Sequence, residues 1–87
     1  MMMLPGLESR LLDASRIAAR LMREGLRVEQ IRIHGRARPA VQIHPDPRST
    51  LTGCRYAWGR DDRGGFQRYA TDIDGVQVQW EVRHEDG

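Results

Sequence analysis

No lysine and no asparagine occur in these 87 residues, and cysteine occurs once. All 14 basic side chains are therefore arginine. Lysine and asparagine codons are AT-rich, so their joint absence reads first as the mark of a GC-rich genome. A second reading is chemical, because the planar, weakly hydrated guanidinium suits phosphates, carboxylates and interfaces. With Cys54 alone no intrachain disulfide can form, which fits a reducing cytoplasm. No basic segment introduces the short apolar run at Met1–Pro5, as a secretory signal requires. No stretch approaches the ~20 apolar residues of a transmembrane helix. The expectation is a soluble, cytoplasmic protein with no membrane association.

What is present narrows the field further. A chain of 87 residues is too short for Rossmann, TIM-barrel or kinase scaffolds and reads as one domain, 1–87. It lies near the size where one core is barely sufficient, so either a monomer or a homodimer is expected. Twelve acids against 14 arginines leave a net charge of +2, which does not indicate a strongly electropositive nucleic-acid binder. The charge is uneven. Residues 1–44 hold eight arginines against four acids, and residues 45–87 hold six against eight.

Pro5-Gly6 opens a segment with apolar residues at Leu7, Leu11, Ala14, Ile17, Ala18, Leu21 and Met22. That spacing predicts one amphipathic helix to about Glu24, with Leu12 projecting to the polar side. Arg20 and Glu24 are placed to pair, and Gly25 to end the helix in the left-handed conformation. The period then changes to two. Ile31 and Ile33, then Val41 and Ile43, predict a hairpin around the loop from Gly35 to Pro39. Residues Pro45 to Thr50 read as irregular. Cys54, Tyr56 and Trp58 share one predicted strand face, taken as the buried one, with Arg55 and Ala57 opposite. The charged loop Arg60 to Gly65 leads into a strand whose facing is ambiguous. Asp74-Gly75 is a strong turn signal, and Val76, Val78, Trp80 and Val82 alternate cleanly after it. The fold expected is α+β: one N-terminal amphipathic helix packed on one face of a four- to five-stranded antiparallel sheet.

Catalytic constellations are weak. His34, His44, His84 and Cys54 match no zinc spacing, and His34 and His44 read as solvent-facing strand ends, so no metal or cofactor is expected. Cys54 reads as a buried structural residue rather than a nucleophile. Asp61-Asp62, Asp72 and Asp74 lie in turns, where aspartate bonds local backbone amides. Nucleic-acid binding could use Arg32, Arg55, Gln42, Gln77 and Gln79 on the outward sheet face, with Arg36 and Arg38 in the adjacent loop. That face is expected to lack exposed aromatic platforms. Protein binding is the remaining class, with arginine and tryptophan as favoured anchors.

The helix ending at Arg23-Glu24-Gly25-Leu26-Arg27-Val28, the run from Ile31 to Pro45 and the closing Asp74 to Glu81 resemble small phage and prophage proteins of GC-rich Proteobacteria. In size and style the chain also resembles anti-CRISPR proteins. The resemblance implies a non-enzymatic protein that blocks a bacterial protein complex, a CRISPR effector for example, inside a bacterial host cell. The expected contact residues are Arg32, Arg36, Arg38 and Arg55 for an acidic target. Asp61 and Asp62 would serve instead if the protein mimics nucleic acid in a basic groove. The alternatives are a nucleic-acid-binding accessory protein using the arginine-bearing sheet face and a minor phage structural protein.

Overall fold

The computed structural model describes residues 6–33, 38–46, 48–49 and 51–84. Helix α1 spans Leu7–Arg23. Its predicted stripe buries Ala14, Ile17, Ala18 and Leu21, while Leu11 and Met22 at its margins are about half exposed, as is Leu12. The C-terminus closes as the sequence suggests. Gly25 adopts φ +90°, its N–H reaches the Met22 carbonyl at 3.0 Å, and the Leu26 N–H reaches the Leu21 carbonyl at 3.0 Å. This is the paired-bond cap in which the residue after the glycine packs back on the helix. Leu26 is accordingly buried.

Five strands follow: β1 (Val28–Arg32), β2 (Ala40–Ile43), β3 (Cys54–Asp61), β4 (Gly64–Ile73) and β5 (Val76–His84). They form one sheet in the order β1-β2-β5-β4-β3. Three of the pairings are antiparallel, and β2 with β5 is parallel, which corrects the expectation of a wholly antiparallel sheet. The reason lies in β5. Val76 and Val78 are fully buried, so this strand belongs in the middle of the sheet. A parallel neighbour needs a long crossover, and the residues between β2 and β5, with the β3–β4 hairpin among them, supply it. Asp74 and Gly75 both take positive φ (49° and 82°), the pair of left-handed residues that a type I′ hairpin turn requires.

The helix lies on β1, β2 and β5. Its buried stripe meets Leu26, Val41, Ile43, Val76 and Val78, with Val28, Leu51, Ile73 and Trp80 around the margin. The ambiguous facing of β4 is settled by these contacts. Ile73 packs on the core, and Tyr69 stacks on Trp80 with ring centroids 5.9 Å apart. Phe66, Arg68 and Ala70 therefore point to the open face. The molecule is elongated, 53 × 27 × 19 Å, because β3 and β4 extend the sheet away from the helix. No helix among the described residues is long and apolar enough to cross a membrane.

Candidate binding surface

β3 is a free edge of the sheet, and every residue in it is exposed except the half-buried Ala57. A bulge interrupts its pairing with β4 between Arg55 and Ala57. An extra residue in one strand shifts the alternation of side chains by one position. Arg55 pairs with Tyr69 and Trp58 with Gln67, which places both on the helix side of the sheet. The helix does not reach that far. Trp58 is 68% exposed and Tyr56 51% exposed. Burial of Cys54, Tyr56 and Trp58 on one face is therefore corrected on both counts. Cys54 is exposed, and Tyr56 and Cys54 line hollows on the open face, opposite Trp58. The Arg55 guanidinium stands 4.8 Å from the centre of the Trp58 ring, in cation–π distance. Arg55 thus lies on the opposite face from the one expected.

The open face is built on a different principle. Arg83 forks onto Asp61, with both terminal nitrogens donating to the two carboxylate oxygens at 2.9 Å. Its Nε donates to Glu81 at 3.1 Å, and Arg68 donates to the other Glu81 oxygen at 3.0 Å. The Phe66 ring lies beneath Arg68 and Arg83, at 4.8 and 5.5 Å. The Arg83 fork, with the backbone N–H of Arg63 second, holds the Asp61 carboxyl down at about 2. Bonds from Arg68 and Arg83 lower Glu81 as well, and Asp61 in turn raises Arg83. Arg32 donates to the Gln79 side-chain oxygen, and Gln79 donates to Gln77 at 2.6 Å, so Arg32, Gln77 and Gln79 share this face as the alternation predicts.

The six residues expected to mediate binding do not form one patch. Arg32 lies on the open face, at the edge provided by β1. Arg36 falls outside the described residues. Arg38 is not free of acids, because it pairs with Asp72 at 2.9 Å, across the strands. Arg55 covers Trp58 on the other side of the sheet. Asp61 is engaged by Arg83, and Asp62 is exposed at the tip of the β3–β4 hairpin. His44 is exposed, His34 lies outside the described residues, and no group of three metal-ligating side chains occurs among the described residues. The residues missed are Tyr56 and Trp58 as surface groups, and Arg63, Arg68 and Arg83 around a polar cleft on the open face. Arg68 and Arg83 had a usable signal in their alternation with Phe66 and Glu81. The bulge had none, since Arg55-Tyr56-Ala57 contains no glycine or proline.

No family model, curated protein or solved structure matches the chain.

Proposed function

We propose that the chain is a non-catalytic binding protein that docks on a bacterial protein complex and blocks it, through the free β3 edge. The exposed Trp58 under Arg55, with Tyr56 on the opposite face of the same strand, carries this reading. Tryptophan, tyrosine and arginine supply most of the energy at protein interfaces, because large rings desolvate well at little entropic cost. An edge strand also offers unpaired backbone groups, to which a partner strand can add. The resemblance to small phage proteins suggests the class of partner, of which a CRISPR effector is one example. The test is affinity capture from a bacterial host with the tagged chain, beside a variant carrying Trp58→Ala and Tyr56→Ala. The reading expects a partner retained by the parent and released by the variant. Recovery of no partner, or equal recovery by both, counts against it.

Nucleic-acid binding is the second reading, favoured by one observation: the sheet does present aromatic platforms beside arginine. Base stacking on such rings is tolerant of sequence. This reading expects binding to single-stranded DNA that weakens steeply with added salt. No detectable binding at low salt rejects it.

A further inference from the structure

The open face carries a cleft of about 370 Å3 that neither the core packing nor the Trp58 surface uses. Four guanidiniums, Arg32, Arg63, Arg68 and Arg83, line it, and Glu81 is the one acid in its wall among the described residues. Even when Asp61 is counted beside Arg83, positive charge is in excess. Each guanidinium offers five N–H donors. Arg68 directs one at Glu81, and Arg32 bonds the neutral Gln79 oxygen with no carboxylate partner among the described residues. No side-chain bond ties the Arg63 guanidinium to a described residue. Its backbone N–H is held by Asp61 at 3.0 Å, and the same carboxylate grips Arg83, so the hairpin tip and the sheet are fixed to one another.

These features define the occupant. The volume is within the ~300–1,000 Å3 typical of small-ligand sites, but the charged wall selects against an apolar molecule. Forked guanidiniums match phosphate oxygens in geometry, and an excess of two positive charges over Glu81 and Asp61 suits a dianion better than a monocarboxylate. Tyr56, half exposed, presents its ring at the cleft. Gln42 lines it with a carboxamide that has no side-chain bond to another described residue, leaving a donor and an acceptor for the edge of a base. We propose that this cleft is a nucleotide-phosphate site: Arg32, Arg63 and Arg68 take the phosphate, and Tyr56 and Gln42 take the planar base. Trp58 lies outside the cleft, so the site shares only Tyr56 with the partner-binding reading, and Trp58→Ala alone separates the two.

Calorimetric titration of the full chain at low salt tests the assignment, with AMP, inorganic phosphate, adenosine and a short single-stranded oligonucleotide as probes. AMP and phosphate should bind, and adenosine should not. Arg32→Gln and Arg63→Gln should each weaken AMP binding by about tenfold, the loss of one charged hydrogen bond. Arg16→Gln on the helix and Trp58→Ala should leave it unchanged. The Arg63 side chain bonds no described residue, so its replacement removes no folding contact, and circular dichroism checks the fold of both variants. An oligonucleotide that binds much more tightly than AMP makes strand phosphates the natural ligand, and comparable binding makes it the free nucleotide. The proposal is overturned by no heat from AMP or phosphate at millimolar concentration, by adenosine binding as well as AMP, or by undiminished AMP binding in a chain carrying both Arg32→Gln and Arg63→Gln.

Discussion

Replacing Gly53 with alanine sets a methyl group against Trp80. A Cβ at this position would lie 2.6 Å from Trp80 Cη2 and 2.8 Å from the Ala70 carbonyl oxygen. Carbon atoms rest at ~3.5–4.0 Å, so roughly an ångström must be found. Ala70 cannot supply it. It lies in β4 and is paired on one side with Cys54 and on the other with Gln79. The chain at residue 53 must lift off Ala70, and the ring must shift from its stack on Tyr69 and its place at the core margin. Overpacking of this kind costs ~1–3 kcal/mol. In a domain of this size each kcal/mol lowers Tm by ~4–8 °C, so Gly53→Ala should melt between about 4 and 24 °C earlier. Gly59→Ala is the internal control. Its Cβ would meet only the end of the Phe66 ring, at 3.0 and 3.2 Å, and a ring tip can tilt. Removing a strand glycine also gains ~0.5–1 kcal/mol, so the net change should be near zero. Differential scanning calorimetry gives both melting temperatures. In a Trp58→Phe background, Trp80 emission should shift to the red in Gly53→Ala and stay in place in Gly59→Ala. Equal melting temperatures for the two variants, or unmoved Trp80 emission, would refute the close approach of Gly53 to this ring.

Two further outcomes follow from the surface network. Asp61 has its carboxyl lowered from 3.8 to about 2 in the folded chain, so its contribution to stability is present above pH 3.8 and is lost as the pH falls towards 2. Asp61→Asn should therefore flatten the acid limb of a urea-midpoint titration across that window, and an unchanged limb would show that the Arg83 fork does not stabilise the fold. Cys54 is an exposed free thiol. It should react with a disulfide reagent at nearly the same rate in native and urea-unfolded protein, whereas a thiol that reacts only after unfolding would restore it to the interior.

Local chemistry explains which parts of the fold were legible. The helix stripe, the Gly25 cap, the Asp74-Gly75 turn and the alternation of β5 depend on neighbours a few residues away, and periodicity reports such neighbours. The parallel pairing of β2 with β5 joins residues more than 30 positions apart, through an intervening hairpin that could have docked on either edge. The bulge in β3 carries no glycine or proline to announce it. Alternation also divides a strand into two faces without saying how far the covering helix extends. The helix packs on β1, β2 and β5, so β3 lies beyond it and Trp58 faces solvent on the helix side. The arginine surplus divides for the same reason. Arg38 and Arg83 find acids on distant strands, Arg55 finds an indole, and Arg32 and Arg63 remain beside the cleft.

The proposed role of β3 as the binding edge is tested most directly by the affinity of Trp58→Ala for the captured partner. Trp58 is 68% exposed and packs chiefly with Arg55, so its removal should leave the fold and melting temperature nearly unchanged. Loss of a central interface tryptophan costs ~2 kcal/mol or more, so binding should weaken by roughly 30-fold or more while Arg16→Gln binds as the parent does. Binding by Trp58→Ala at parental affinity, in a chain that remains folded, would contradict the account.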